Sequence, residues 1–315
     1  VDEVDVVAVR YGATAGFIGK GFKGVLANNL FKISPKNNTL SKSFLYHYLN
    51  SEKAQIFLKK STAGGAMPAL SFGVVKELQF PLPPLSIQEN IVREIEGYQK
   101  IIDGAKMVIN NYKPEIIINP TWEMVELNSL VEVISGYGFS SSDFKEDNPI
   151  KCIKITNVGV REFVDDDTSR LPETYLKQYS KYIVNSGDLV ISLTRTIISS
   201  GLKVTVVPES WDNTLVNQRV AGLKPKENAN LNFIYHYLCS DEVYKYVEEQ
   251  SRSLMQPNLS ITDLKKLLIP SPSIEIQNEI VAKIELEQDL VNANKKLISI
   301  FEQKIKDRIA KVWEE

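Results

Sequence analysis

The sequence PLPPLSIQENIVREIE (Pro81–Glu96) returns as PSPSIEIQNEIVAKIE (Pro270–Glu285), at an offset of 189 residues. The same offset relates FLYHYL (Phe44–Leu49) to FIYHYL (Phe233–Leu238), and no gap interrupts the register between the two pairs. A chance register of this length is not expected, so the chain is a tandem duplication. This repeat decides the fold, because an element found in one copy is expected in the other.

Each copy ends in a predicted helix. Prolines hold the chain extended ahead of it, and Ser86 in the first copy or Ser273 in the second is predicted to cap the first turn. Apolar residues then recur every seven positions, which is typical of a coiled-coil seam. At 1.5 Å per residue the helices would be roughly 39 Å and roughly 60 Å long. We predict that the helices pack against each other through these seam residues: Ile95, Ile102 and Ile109 in the first, and Ile284, Val291, Ile298 and Ile305 in the second.

The segments outside these helices indicate an α+β fold. FLYHYL and FIYHYL belong to stretches with apolar residues at helical spacing, and short runs rich in Val, Ile and Thr between turn residues predict strands. An α+β globular part followed by a long helix, used twice, is therefore the predicted fold class. The predicted strands are DVVAVR (Asp5–Arg10), GVLANNLFKI (Gly24–Ile33), IKCIKITNVG (Ile150–Gly159), GDLVISLTR (Gly187–Arg195) and KVTVVP (Lys203–Pro208).

The two copies differ in length at the front. The second begins near Trp122, whereas the first begins at the equivalent of Ile183. We therefore expect the first globular domain to lack its N-terminal part and the chain to be a fragment, a processed product or a partial domain. The expected domains are 1–85 for the C-terminal part of the first globular domain, 86–119 for the first spacer helix, 120–272 for the second globular domain and 273–315 for the second spacer helix.

Composition excludes several protein classes. The 315 residues are 43% apolar and 24% charged, which is enough for buried cores in about two domains. Two cysteines, Cys152 and Cys239, are too few for a disulfide framework, and neither a leader nor a membrane-spanning apolar run is apparent, so we expect a cytoplasmic protein without a membrane partner. The net charge of −2 does not indicate nucleic-acid binding, so such a role must rest on local charge.

No motif predicts a catalytic or metal site. His47 and His236 occupy equivalent positions between aromatic residues, and we predict packing or hydrogen bonding for both. GFIGKG (Gly16–Gly21) lacks the spacing of a phosphate-binding loop, so we predict a turn between strands. NPTW (Asn119–Trp122) is similar to the NPPY motif of adenine methyltransferases, but it has Thr for the second Pro and no Gly-rich cofactor loop stands upstream.

Local charge and polar side chains instead suggest a DNA-binding surface. Nine basic residues and one acidic residue, Glu52, lie between Val6 and Thr62, a local charge of +8 that could follow a phosphate backbone. Amide, hydroxyl and guanidinium groups interleave with these charges in both copies, and such groups can pair with base edges. The candidate DNA-binding residues are Arg10, Tyr11, Thr14, Lys20, Lys23, Asn28, Asn29, Thr194, Arg195, Thr196, Ser199, Lys203, Asn217, Gln218, Arg219, Gln256 and Asn258.

Two roles are predicted within this set. Lys20 and Lys23 are expected to bind phosphates, which would set affinity and its salt dependence. The candidates for base edges are expected to give each half of the protein its sequence preference. They are Arg10, Asn28 and Asn29 in the first copy, and Arg195, Asn217, Gln218 and Gln256 in the second.

Four stretches together resemble the specificity subunits of type I restriction-modification systems. WEMVELNSLVEVISGYGFSSSDF (Trp122–Phe144) is similar to the opening of a target recognition domain in that family, and YIVNSGDLVISLT (Tyr182–Thr194) to its central strand. QPNLSITDLKKLLIPSPSIEIQNEIVAKIE (Gln256–Glu285) resembles the closing segment that leads into the family's helix. MPALSFGVVKELQFPLPPLSIQENIVREIE (Met67–Glu96) repeats that closing segment. The resemblance covers essentially the whole chain, apart from the front half of the first recognition domain.

The resemblance implies a non-catalytic subunit that reads DNA. Each recognition domain would read one half of a bipartite sequence in double-stranded DNA, and two antiparallel helices would set the distance between the halves. DNA methyltransferase subunits and a restriction and translocase subunit would be the protein partners. S-adenosylmethionine, ATP and Mg would bind to those partners only, so no cofactor is expected on this chain.

Further possibilities stay open. The chain could be the specificity tail of a fused methyltransferase and nuclease, or a coiled-coil interaction protein that does not bind DNA. The incomplete first copy is also expected to expose apolar surface or unpaired strand edges, which predicts self-association into a homo-oligomer.

Overall fold

In the computed structural model, which describes residues 1–62, 69–79, 81–168, 170–251 and 258–313, the chain divides into two units. Unit 1 consists of Val1–Tyr112 and Asp289–Glu315, and unit 2 consists of Lys113–Gln288. The last helix of the chain contributes residues to both. Within the described ranges, no helix has the length and apolar character needed to cross a membrane.

The described part of unit 1 surrounds a small antiparallel sheet with helices. Its elements are β1 (Val6–Val9), β2 (Ile18–Gly19), β3 (Leu30–Ile33), α1 (Lys42–Leu49), α2 (Glu52–Thr62), α3 (Phe72–Glu77) and α4 (Leu85–Asn111). The strands lie in the order β2-β1-β3, so β1 is central. Val6 and Ala8, two residues apart on β1, share one face of the strand and pack in the core with Leu45 and Tyr48 of α1.

Unit 2 is larger and contains two four-stranded sheets, in the orders β12-β9-β14-β5 and β7-β6-β13-β8. In the first of them the central strand β9 is fully buried and its neighbour β14 is buried over its first four residues, as their apolar sequences predict. The elements are β4 (Met124–Glu126), α5 (Leu127–Leu130), β5 (Val131–Ser135), β6 (Ile150–Ile153), β7 (Arg170–Leu171), α6 (Thr174–Gln178), β8 (Ile183–Val184), β9 (Leu189–Ser192), β10 (Ile197–Ile198), β11 (Gly201–Leu202), β12 (Val204–Val206), β13 (Thr214–Val216), β14 (Val220–Pro225), α7 (Leu231–Leu238), α8 (Asp241–Ser251), α9 (Ile261–Lys266), β15 (Leu268–Pro270) and α10 (Ile274–Ala310).

The sequence repeat is also a repeat of topology. Strands β2-β1-β3 of unit 1 correspond to β12-β9-β14 of unit 2, and α1 to α3 correspond to α7 to α9. In unit 2, β5 pairs with the outer edge of β14, with Ile134 opposite Gly222. In the described part of unit 1, no strand pairs with the outer edge of β3. The predicted self-association would use such an edge and stays a prediction.

The segment GFIGKG differs from the sequence prediction. It was expected to be a turn between strands, but Ile18–Gly19 forms strand β2 and pairs with β1. The turn lies earlier, where the N–H of Gly16 donates to the carbonyl of Val9 at 2.9 Å. The predicted strand at 24–33 is also shorter than expected, because only Leu30–Ile33 is paired.

The predicted helix caps are only partly correct. Helix α4 begins at Leu85 with Pro84 at the N-cap position, so Ser86 lies inside the first turn and does not cap it. Ser273 does immediately precede α10. Helix α4 ends at Asn111, because Pro114 follows and cannot continue a helix.

Within unit 1, the beginning of α4 packs against the end of α10. Ile91 and Ile95 share a buried cluster with Ile309 and Val312, and Ile305 packs at its edge. The two helix segments are therefore antiparallel, since the start of one meets the end of the other. Among the other predicted seam residues, Ile102, Ile284 and Val291 are buried, and Ile109 and Ile298 are half-buried.

A buried glutamine joins the globular part of unit 1 to α4. Gln88 is fully buried on the first turns of the helix. Its Oε1 accepts the N–H of Ser41 at 2.9 Å, and its Nε2 donates to the carbonyls of Thr39 at 2.8 Å and Pro83 at 2.7 Å. All three partners are backbone groups, and the Gln88 side chain supplies the hydrogen bonds that these groups would otherwise lack.

Gln277 makes the same joint in unit 2. Its Oε1 accepts the N–H of Asn230 at 2.8 Å, and its Nε2 donates to the carbonyls of Pro272 at 2.9 Å and Asn228 at 3.3 Å. The sequence repeat thus preserves both the glutamine and its three bonds. Each globular part is fastened to the start of the helix that follows it.

The two histidines serve as packing residues. Each contacts the tyrosine before it, with ring centroids 5.2 Å apart for Tyr46 and His47 and 5.3 Å apart for Tyr235 and His236. Burial lowers the pKa of each imidazole to about 4, with a smaller contribution from a neighbouring cation. Nδ1 of His236 is buried without a hydrogen-bond partner among the described residues, so this side chain packs and does not bond there.

Acid should destabilise the fold through these imidazoles. The unfolded chain binds a proton at each histidine near pH 6.5, whereas the folded chain does so only near pH 4, so falling pH in this window favours unfolding. Each histidine is expected to contribute about 2 kcal/mol of this loss between pH 7 and pH 5. Urea unfolding at both pH values should show a smaller loss for the variant His47→Gln/His236→Gln than for the original chain. An equal loss in both proteins would contradict the assignment.

Candidate nucleic-acid interface

In unit 2, the residues that follow β9 meet two other loops. The N–H of Leu193 donates to the carbonyl of Arg219 at 2.9 Å, and the N–H of Leu259 donates to the carbonyl of Leu193 at 3.0 Å. The N–H of Arg195 donates to Oδ1 of Asn258 at 3.1 Å. Three sequence segments that carry predicted DNA-binding residues therefore converge at the end of the central strand.

The turn between β13 and β14 carries three candidates, Asn217, Gln218 and Arg219. Gln218 and Arg219 are exposed, and the backbone of Asn217 is fixed, since its N–H donates to the carbonyl of Ile153 at 2.9 Å. Gly136 passes directly beside this turn, and a Cβ there would lie 2.0 Å from the carbonyl oxygen of Asn217. Only glycine permits this approach, so the residues after β5 support the exposed turn.

An aromatic cluster borders the same turn and was not among the sequence predictions. The ring of Tyr137 lies 5.1 Å from Phe139, 4.7 Å from Tyr179 and 5.1 Å from Tyr182 between centroids. The N–H of Tyr137 donates to the carbonyl of Val216 at 2.9 Å, and its side chain is 37% exposed. The run GYGF at residues 136–139 was the available signal, because two glycines bring an aromatic residue close to another backbone.

Unit 1 repeats the arrangement with different side chains. The N–H of Arg10 donates to the carbonyl of Asn29 at 2.7 Å, and the N–H of Leu70 donates to the carbonyl of Arg10 at 2.8 Å. The Arg10 guanidinium lies 4.7 Å from the ring centroid of Tyr11 and 5.0 Å from that of Phe72. Arg10, Tyr11 and Asn29 are thus brought together, and their binding to DNA stays a prediction. Two further candidates, Thr14 and Asn28, are exposed in neighbouring turns.

Lys20 and Lys23 do not belong to this surface. Because β2 runs antiparallel to β1 with Gly19 opposite Val7, Lys20 lies near the start of β1, whereas Arg10 follows its end. The Lys20 ammonium donates to Oγ of Ser43 at 2.6 Å. Lys23 is exposed three residues further on from Lys20. The sequence grouped these lysines with Arg10 because it did not show that the chain reverses between them.

The local charge of +8 is also not a single free patch. Lys32 and Lys42 bind the two carboxylate oxygens of Asp5 at 2.7 Å and 2.6 Å. Hydrogen bonds from both ammonium groups hold the pKa of Asp5 well below its usual value. Asp5 stands one residue before the segment over which the charge was counted. Lys32 and Lys42 are therefore paired with a carboxylate of the protein itself.

In unit 2, the prediction for Thr196 is wrong. Thr196 is fully buried, and its Oγ1 has no hydrogen-bond partner in the described part of the chain, so it does not face DNA. Lys203 is half-buried and donates to the carbonyl of Ile155 at 3.2 Å. Ser199 is exposed in the turn between β10 and β11, and Thr194 is half-buried beside Arg195. Gln256 lies outside the described residues.

Comparison with known proteins identifies the family. The family model described as the type I restriction modification DNA specificity domain matches residues 6–111 and 119–299. The MjaVIII specificity subunit of Methanocaldococcus jannaschii is 27% identical over 321 residues, which cover 94% of this chain and 75% of that relative. The EcoAI specificity subunit of Escherichia coli is 28% identical over 241 residues, which cover 75% of this chain and 36% of the relative.

Solved structures share the fold. A chain from a study of assembly and conformational transition of the type I restriction-modification system aligns with a TM-score of 0.61 at 18% identity, over 99% of this chain and 82% of its own length. The HsdS subunit from Thermoanaerobacter tengcongensis aligns with a TM-score of 0.53 at 18% identity, over 99% of this chain and 81% of its own. Because the family model covers most of both units, the chain belongs to the family of type I restriction-modification DNA specificity domains.

Proposed function

We propose that unit 1 and unit 2 each read one half of a bipartite sequence in double-stranded DNA. The observation that carries this proposal is the repeated arrangement at the ends of β1 and β9. The same backbone hydrogen bonds hold three loops together in both units, while the side chains on those loops differ. A common scaffold with different polar side chains is suited to reading two different half-sites.

We also propose that chemistry takes place on partner subunits. Adenine methyltransferase subunits and a restriction and translocase subunit would bind this chain, and S-adenosylmethionine, ATP and Mg²⁺ would bind to those partners. The family membership supports this division of work. The geometry described above supplies polar surfaces for DNA and leaves the two histidines in packing roles.

The test is selection of DNA by the assembled complex. The chain would be purified with the methyltransferase subunit of its own system and incubated with a library in which two short segments, at several separations, are randomised. We expect enrichment of two fixed half-sites at one separation, and methylation of genomic DNA at the same sequence. Binding without any sequence preference would contradict the proposal and would favour a coiled-coil interaction protein instead.

A further inference from the structure

One backbone position has a different residue type in each of the two copies. Two residues after Arg10 in unit 1 stands Gly12, and two residues after Leu193 in unit 2 stands Arg195. Arg10 and Leu193 are equivalent, because both donate to the residue that precedes β3 or β14 and both accept from the segment before α3 or α9. Gly12 and Arg195 therefore occupy the same place at the end of the central strand.

Both residues adopt a left-handed backbone conformation, with φ of +95° at Gly12 and +50° at Arg195. Glycine takes this conformation without steric cost, whereas a residue with a Cβ pays for it in free energy. The first copy has glycine, which is not strained in this conformation, and the second copy has arginine, which is. Strain of this kind persists where surrounding structure holds it, and it is concentrated at functional sites.

The side chain at this position points away from the protein. A Cβ built on Gly12 would have no atom within 4 Å. Arg195 is correspondingly exposed, and within the described part of unit 2 no carboxylate forms an ion pair with it. A neighbouring charge is also positive: burial and, to a smaller extent, the Arg195 guanidinium lower the pKa of Lys203. The guanidinium is therefore free to bind an acceptor from another molecule.

Asn258 maintains the unusual backbone. Its Oδ1 accepts the N–H of Arg195 at 3.1 Å. The equivalent residue in unit 1 is Ala69, which has no side-chain acceptor and pairs with Tyr11, the residue before Gly12. The strained arginine and the asparagine that holds it thus occur together in one copy, and neither occurs in the other.

We propose that Arg195 is a specificity-determining residue that recognises a guanine in the half-site read by unit 2, and that Asn258 is its positioning residue. This inference rests on the proposed function. A guanidinium can donate two parallel hydrogen bonds to O6 and N7 of guanine in the major groove, which is the commonest specific contact between proteins and DNA. Asn258, for which the sequence predicts DNA binding, acts through Arg195 instead.

The decisive variant is Arg195→Gly, which restores the residue of the first copy. Glycine removes the backbone strain, so the melting temperature should stay equal or rise. In the complex with the methyltransferase subunit, a randomised library should show that one guanine of the second half-site is no longer preferred, with a loss of about 10-fold in selectivity at that base. Selectivity at the first half-site should not change. That half-site is the internal reference, because the equivalent position in unit 1 is already a glycine, Gly12.

Asn258→Ala tests the positioning role. Alone, it should weaken the same guanine preference and lower the melting temperature. Combined with Arg195→Gly it should have no further effect on the guanine preference, because the residue that it positions is absent. A further loss of that preference in the double variant would show that Asn258 contacts DNA directly and would overturn its assignment.

The remaining outcomes separate this inference from the proposed function. Uniform loss of affinity for all sequences in Arg195→Gly would assign a phosphate contact and overturn the guanine assignment. A lower melting temperature with unchanged selectivity would make Arg195 a structural residue, with the same consequence. If the original complex shows no sequence preference at all, the proposed function itself fails.

Discussion

Replacing Ile95 by aspartate is expected to unfold unit 1. Ile95 is 1% exposed and lies in the cluster that joins the start of α4 to the end of α10. The substitution removes the burial of a large apolar side chain and places a carboxylate in an apolar site without a partner. We expect a loss of about 4 kcal/mol or more in the free energy of unfolding. Urea denaturation followed by circular dichroism would measure it.

The matched control is Ile101→Asp on the same helix. Ile101 is 40% exposed, so its replacement introduces the same charge into α4 but leaves it in contact with water. We expect a loss of less than about 1 kcal/mol. Similar losses for the two variants would show that the packing of the helices does not stabilise unit 1, and would contradict the proposed seam.

Gly136→Ala is expected to have the second largest effect. A Cβ at this position would lie 2.0 Å from the carbonyl oxygen of Asn217 and 2.8 Å from that of Val220. Both atoms belong to backbone, so the turn that carries Gln218 and Arg219 must move. We expect a loss of about 2–4 kcal/mol in the free energy of unfolding, together with weakened selection of the second half-site.

Gly97→Ala is its control. Gly97 lies within α4, and a Cβ there would have no other atom within 4 Å. Because alanine is the better helix former, the variant should gain up to about 1 kcal/mol and should keep both half-site preferences. Thermal melting and the library selection would be run on both variants. A Gly136→Ala variant that melts like the original chain would show that the turn is not held by this close approach.

Local periodicity explains why the fold class could be predicted. The helical spacing after Pro81 and Pro270 and the β-branched runs depend on neighbouring residues, and together with the repeat they indicated an α+β fold with two long helices. The ends of elements were less predictable. Strand β2 has only two residues, Ile18 and Gly19, and its pairing with β1 is a tertiary contact without a local signature.

The grouping of the candidate residues was predictable only where the residues lie at the same end of the sheet. Arg10 and Asn29 lie together because one follows β1 and the other precedes β3, which are adjacent and antiparallel. Lys20 was misplaced because β2 reverses the chain between it and Arg10. Thr196 was misplaced because its position alone does not show which way its side chain points. The glycine at the equivalent position, Gly12, indicates the left-handed backbone at Arg195, but the two positions could be matched only once the structure had aligned the two strand ends.

The glutamine joints bear on how such proteins can change what they recognise. Gln88 and Gln277 bind each globular part through backbone atoms alone. These hydrogen bonds therefore do not depend on which side chains the loops of that part have. Mutation or recombination can therefore replace an entire set of loops while the connection to the helix stays intact. In such an exchange the crossover points would be the short stretches around the two glutamines, and the product would inherit one parent's helices with the other parent's DNA sequence preference.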